Sequence, residues 1–150
     1  MELKIGEQFS TTRDVTDELV RKFAQVSGDH NPLHLDDDYA RRTRFGRRVA
    51  HGALSEAFIS AVIGFEFKER CIVYLSQTLN FVAPVFIGDT VTTTATVKKI
   101  RQDKPVITFD TICKKQTGET VVTGEAVIML IDTDQAPLKD EPATPLPLTE

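Results

Sequence analysis

The sequence predicts an α+β domain in which a curved antiparallel sheet wraps around one long central helix. Three observations carry this expectation. The stretch Gly52 to Gly64 is apolar on nearly every side, interrupted only by Ser55, Glu56 and Ser60. A helix with no solvated face is one that other elements enclose. Beyond Gly64 the apolar period changes from helical spacing to two. The links between these later segments are also short, at Gly88-Asp89, Asp103-Lys104-Pro105 and Thr117-Gly118, and short links join antiparallel neighbours.

The elements follow in order. From Thr16 to Ser27, Leu19, Val20, Phe23 and Val26 recur at helical spacing between charged residues. Thr16 can cap this helix, Asp17 and Glu18 suit its positive end, and Gly28 can stop it. A short second helix is expected over Asp36 to Arg42. The central helix, at about 20 Å, is too short to cross a bilayer. About four strands come next: Cys71 to Ala83, the β-branched run Val91 to Val97, Val106 to Cys113, and Thr120 to Ile131. No repeat is visible. Residues 1–134 read as one domain. Residues 135–150 hold Pro137, Pro142, Pro145 and Pro147 without apolar periodicity, and read as an extended or disordered tail.

Bulk properties narrow the function. A chain of 150 residues, 41% hydrophobic, suits a single domain with a genuine core. With no Trp, that core should be aliphatic with Phe as bulky filler. A net charge of -4 gives nucleic-acid binding no electrostatic support. Cys71 and Cys113 match neither a zinc spacing nor a disulfide framework, which fits a reducing compartment. The first residues lack the apolar core of a signal peptide, and no run approaches a membrane span. The expectation is a cytoplasmic protein with no membrane or nucleic-acid partner.

Two stretches can carry chemistry. In Ser27-Gly28-Asp29-His30-Asn31-Pro32-Leu33-His34 a helix-stopping glycine precedes Asp29, and Asn31-Pro32 marks a turn. Asp29 and His34 can therefore face each other across a tight loop. A carboxylate and an imidazole sharing one water can take a proton from it and pass one on. From spacing alone the commoner arrangement is structural, with Asp29 capping a turn and His34 donating to a backbone carbonyl. In Phe45-Gly46-Arg47-Arg48-Val49-Ala50-His51-Gly52, Gly52 opens the central helix. The first amides of a helix point outward at its positive end, where they can polarise a thioester carbonyl. Equally, Gly52 can serve close packing.

Together these stretches resemble the MaoC-like, (R)-specific enoyl-CoA hydratase family of hot-dog proteins. The family's pattern Ser/Thr-Gly-Asp-x-Asn-Pro-aliphatic-His stands intact at Ser27 to His34. Its Phe-Gly-x-x-Val-Ala-His-Gly pattern stands intact at Phe45 to Gly52. Asn80 to Asp89 resembles its Arg-Phe-x-x-Pro-Val-x-x-Gly-Asp segment, with Asn80 in place of the frequent arginine. The resemblance spans about residues 5 to 132. It implies reversible syn addition of water to a trans-2-enoyl thioester, giving an (R)-3-hydroxyacyl thioester. It also implies that Asp29 and His34 hold the water, and that the Gly52 amide binds the thioester oxygen. Asp29 is assigned to activate the water and His34 to supply the C2 proton, with Asn31 holding the loop. No metal or other cofactor is implied, because the thioester itself acidifies C2. Coenzyme A or carrier-protein pantetheine is then part of the substrate, and a homodimer is the minimum assembly.

Glu56 and Ser60 share a helix face with Gly52, so Ser60 is a supporting candidate. Glu56 keeps a hot-dog thioesterase open as an alternative, beside a non-catalytic acyl-thioester binding module. His30 is expected to face solvent and His51 to steady the helix entry. Arg41, Arg42, Arg44, Arg47 and Arg48 flank the loop and suit either a phosphate tail, an acidic carrier, or simple solvation. Lys98, Lys99 and Arg101 form a weaker basic group. Phe58, Val62, Ile63 and the last strand are candidates for the walls of an acyl pocket.

Overall fold

The computed structural model describes residues 2–134; the proline-rich segment 135–150 lies outside the described residues. Strand β1 (Gln8–Asp14) leads into helices α1 (Asp17–Ser27), α2 (Pro32–Leu35), α3 (Asp37–Arg41) and α4 (Gly52–Glu66). Strands β2 (Cys71–Phe81), β3 (Thr90–Ile100), β4 (Val106–Lys115) and β5 (Thr120–Ile131) follow. All strand pairs are antiparallel, in the order β1-β3-β4-β5-β2. The expected α+β architecture is present, with one more strand than expected.

The unexpected strand is β1. Its sequence, Gln-Phe-Ser-Thr-Thr-Arg-Asp, offers only Phe9 to the core, because β1 is an edge strand whose outer face adds hydroxyl pairs to its backbone ladder with β3. Ser10 and Thr94 share a hydrogen bond of 2.7 Å, Thr12 and Thr92 one of 3.0 Å, and Gln8 Nε2 donates to Thr96 Oγ1 at 3.2 Å. Threonine pairs of this kind stabilise a ladder without a buried face. The expected period of two in β2 is also broken, by a register shift between Tyr74 and Ser76. A bulge of this kind puts Leu75 out of phase.

The caps of α1 follow the sequence. Thr16 Oγ1 accepts from Leu19 N at 3.1 Å, and Gly28 adopts the left-handed conformation at φ 79. The second expected helix is shorter than Asp36 to Arg42: Asp36 caps it, accepting from Tyr39 N at 2.9 Å.

Helix α4 corrects one expectation. Only one face is buried, that of Leu54, Ser55, Phe58, Ile59, Val62 and Ile63, and its apolar residues share one core with Val91, Ala95, Val97, Phe109 and Ile128 of the sheet. Gly52, Ala53, Glu56, Ala57, Ser60 and Ala61 are exposed in the protomer. Apolar residues all round a helix thus did not mean enclosure by its own chain. Phe109, at 0% exposure, anchors the core and meets Phe67 edge-on at 6.1 Å. Burying such a ring contributes about 1.5–3 kcal/mol. Phe58, Val62 and Ile63, proposed as pocket walls, lie in this core.

Among the described residues, no helix is long and apolar enough to cross a membrane.

Candidate active site

The Ser27 to His34 motif is a chain of local caps. Ser27 Oγ accepts from Asp29 N at 3.1 Å, Asp29 Oδ1 from Asn31 N at 3.1 Å, and Asn31 Oδ1 from Leu33 N at 3.0 Å. Pro32, which has no N–H to satisfy, opens α2 behind its Asn31 cap. Each polar side chain thus satisfies one backbone donor as the chain turns from α1 into α2. The turn delivers His34 beside Asp29, with Nε2 3.9 Å from Asp29 Oδ2.

That gap is too wide for a direct hydrogen bond and wide enough for one water oxygen to reach both groups. The other ring nitrogen settles the tautomer. His34 Nδ1 lies 2.6 Å from the Val49 carbonyl oxygen, which can only accept. Nδ1 therefore carries the hydrogen, and Nε2 of the neutral ring presents its lone pair toward Asp29. The structural reading of this pair is realised: Asp29 caps a turn and His34 donates to a carbonyl. The spare carboxylate oxygen and the free ring nitrogen remain for chemistry. The hydrogen bond from the Asn31 amide holds the Asp29 carboxyl below its usual pKa range.

His51 ties the two motifs together. It is 3% exposed, its Nε2 donates to the Asp29 carbonyl oxygen at 2.9 Å, and its ring stacks on His34 at 3.9 Å. It is also the residue that leads into α4, as expected of a helix-entry residue. Burial pushes its pKa below 6.5 despite the bond to Asp29. As pH falls through 6.5, the unfolded chain takes up a proton that the folded His51 refuses, so stability should decline on acidification. Urea titrations at a series of pH values should show this decline, and His51→Gln should flatten it.

Asp29, His34 and His51 also bring one ligand atom each within 4.8 Å of one another, whereas the sequence offered no convincing metal set. The rings of His34 and His51 stack 27° from parallel.

Gly52 opens α4 as its first residue, so its N–H has no acceptor within the helix. It lines a cleft of about 380 Å³ together with His34, Arg44, His51, Ser55 and the segment from Phe81 to Val85. A Cβ at Gly52 would stand 2.9 Å from the Phe81 ring, so glycine here also admits that ring. Asp29 is not among the lining residues and meets the cleft through His34.

Other candidates fall elsewhere. Ser60 and Glu56 line a separate hollow with Tyr74, Leu75, Ser76 and Gln77, and the described geometry gives Ser60 no contact with the dyad. Burial, reinforced by Glu56, pushes the Tyr74 hydroxyl up to about 12. Ser55, read from sequence as an interruption, is the buried helix serine that lines the cleft. His30 is exposed as expected. Of the five arginines, Arg48 is a correction. It is 6% exposed, donating from Nε to the His34 carbonyl oxygen at 2.8 Å and pairing with Asp17 at 2.7 Å. It is a strut for α2 rather than a phosphate ligand. Arg41 pairs with Asp38, and Arg44 alone of the five lines the cleft. Lys98 is engaged by Glu125 and Asp110, and Arg101 by Asp103.

Comparison with known proteins bears on this geometry directly. The family model for the MaoC like domain matches residues 2–120. The chain belongs to the MaoC-like family. An (R)-specific enoyl-CoA hydratase of Rhodospirillum rubrum is 42% identical over 129 residues, covering 86% of this chain and 89% of that protein. A mitochondrial 3-hydroxyacyl-[acyl-carrier-protein] dehydratase of Arabidopsis thaliana is 36% identical, covering 88% and 80%. The solved structure of an (R)-hydratase from A. caviae involved in PHA biosynthesis superimposes with a TM-score of 0.82 at 39% identity, covering 86% of this chain and 98% of that one. The MaoC-like chain thus shares the hot-dog fold of these hydratases.

Proposed function

We propose that this MaoC-like protein adds water reversibly across C2–C3 of a trans-2-enoyl thioester, giving a 3-hydroxyacyl thioester. The observation that carries the reading is the 3.9 Å gap between Asp29 Oδ2 and His34 Nε2, whose Nδ1 is taken up by the Val49 carbonyl oxygen, beside the free amide that opens α4. Two acceptors facing one gap can hold both hydrogens of a water and aim its lone pair outward. The thioester carbonyl placed at the Gly52 N–H leaves C3 open to that water. Negative charge developing on the carbonyl oxygen is then met by the positive end of a 15-residue helix.

Proton balance refines the division of labour. The neutral His34 ring has no proton at Nε2, so it can supply C2 only after taking one. The water is the source: its O–H bond breaks as C3–O forms, and the proton passes by His34 Nε2 to C2. Asp29 orients the water and stabilises the transient imidazolium. Because one dyad handles both groups, hydroxyl and hydrogen arrive on the same face, a syn addition. The (R) product follows the naming of the similar hydratase. No metal or dissociable cofactor takes part. Coenzyme A or carrier-protein pantetheine enters as part of the substrate, with Arg44 at the cleft offering charge to its phosphate.

Two copies are proposed to pair along β2, the sheet edge beside β5. The exposed small residues of α4 and Phe65, at 65% exposure, lie free in the protomer, and an open edge is commonly covered. Sedimentation should give twice the chain mass; a monomer at micromolar concentration would refute the pairing.

Loss of enoyl absorbance on mixing with crotonyl-CoA is the direct test of function. Glu56, in the separate hollow, gives thioester hydrolysis no support from the dyad. Glu56→Gln should change hydration by less than about twofold, as a surface substitution outside the site should. Free thiol release from saturated acyl-CoA, abolished by Glu56→Gln, would overturn the hydratase reading.

A further inference from the structure

The Asn80 to Asp89 segment resembles a family pattern, yet its last residue lies outside the cleft. Asp89 is 7% exposed and fully engaged. Its Oδ2 accepts from the Phe86 amide at 2.8 Å and faces Lys115 Nζ at 3.3 Å; its Oδ1 accepts from Gln116 Nε2 at 2.9 Å. Lys115 is itself 8% exposed. Burying two charges costs desolvation that the pair rarely repays in stability, so such a pair invites a positional explanation.

The hydrogen bonds supply one. Phe86, gripped by Asp89, forms a lone antiparallel bridge with Val49. The flanking residues make the hydrogen bond of that bridge, with Ala50 N donating to the Val85 carbonyl oxygen at 2.7 Å. Val49 in turn offers its carbonyl to His34 Nδ1 at 2.6 Å and donates its own N–H to the Leu33 carbonyl at 3.3 Å. Arg47, one residue from the strut Arg48, stacks on the Phe86 ring at 3.9 Å, with Lys115 4.9 Å from that ring. Three short steps therefore connect a buried carboxylate to the catalytic imidazole.

We propose that Asp89 is a positioning residue for His34: it anchors the Phe86 amide, the Val85–Phe86 stretch holds Val49–Ala50 across their bridge, and the Val49 carbonyl holds the ring with Nδ1 protonated and Nε2 open to the site. The proposal rests on the reading of His34 as the proton carrier, and its test separates the two. Asp89→Asn with Lys115→Met removes both charges but keeps an acceptor for the Phe86 amide. Asp89→Leu with Lys115→Met removes the acceptor as well and leaves no unpaired buried charge.

Nitrogen NMR of the His34 ring reads the tautomer without any substrate. The wild type and the Asn/Met variant should show a single Nδ1–H form. The Leu/Met variant should show mixed tautomers and a kcat lowered about tenfold to a hundredfold, the scale of a small misplacement of a reacting group. If the Leu/Met variant does not fold, Asp89→Ala with Lys115→Met removes the same acceptor with a smaller side chain and should still mix the tautomers. A Leu/Met or Ala/Met protein with the wild-type ring spectrum and kcat overturns the proposal. So does an Asn/Met variant as impaired as Leu/Met, which would make charge rather than the anchor the cause. If the tautomer responds as expected while the wild type hydrates no enoyl thioester, the anchor stands and the functional reading fails.

Discussion

Asp29→Asn and His34→Ala should each lower kcat for enoyl-thioester hydration by about 10²–10⁴-fold, the range general acid–base groups contribute. The two losses should not add, because each group acts on the same water and removing either leaves the other without a partner. A double variant about as slow as the worse single variant is the expected result, read by crotonyl-CoA turnover. The fold should survive both changes. Asp29 is exposed, and Asn keeps an oxygen that can accept from the Asn31 amide, which Asp29 now does at 3.1 Å. His34→Ala frees the Val49 carbonyl, whose neighbours Leu33 and Val85 still hold the strand through the backbone. Full turnover in both variants would end the dyad mechanism. A loss shared with a collapse of circular dichroism would assign the residues to folding instead.

Gly52→Pro should lower kcat by about 10²–10³-fold, the cost of removing one oxyanion donor. The substitution is unusually clean at this position. Proline is favoured at the first residue of a helix, where its missing N–H has no acceptor in the helix. His51, at φ -56 and ψ 133, already occupies the extended region that a following proline demands. Proline also adds a Cβ, which would press the Phe81 ring. Gly52→Ala separates the two effects, since it adds the Cβ and keeps the amide. Phe81 is 58% exposed, so its ring can yield, and the alanine variant should lose far less kcat than proline. Equal losses would make Gly52 a space-filling requirement of the cleft and would remove the oxyanion role.

Much of this site was legible along the chain because its elements are local. Thr16, Gly28, Asp29 and Asn31 act within three or four residues of themselves, so spacing alone exposes them as caps. His34 and Gly52 are marked by short patterns whose order carries the information. Ser55 was not legible, since a serine on an apolar helix looks the same whether it faces a cleft or the opposite hollow. Ser60 shows the converse error: sharing a helix face with Gly52 did not place it in the same cavity. Arg48 sits among four other arginines in sequence, and only its burial against the His34 carbonyl distinguishes it from them.

The linear order of residues marks four of the five strands, the α1 caps and the candidate dyad, because these show in patterns a few residues long. It could not show β1, whose backbone ladder and hydroxyl pairs are made with a strand far along the chain. Nor could it show that α4 keeps an open face, or that Asp89 reaches His34 through Phe86 and Val49. Those relations join segments distant in sequence, and only packing brings them together. The 3.9 Å gap and the tautomer of His34 belong to that second class: the pattern names the two residues, while a carbonyl fifteen residues away decides which nitrogen is free to react.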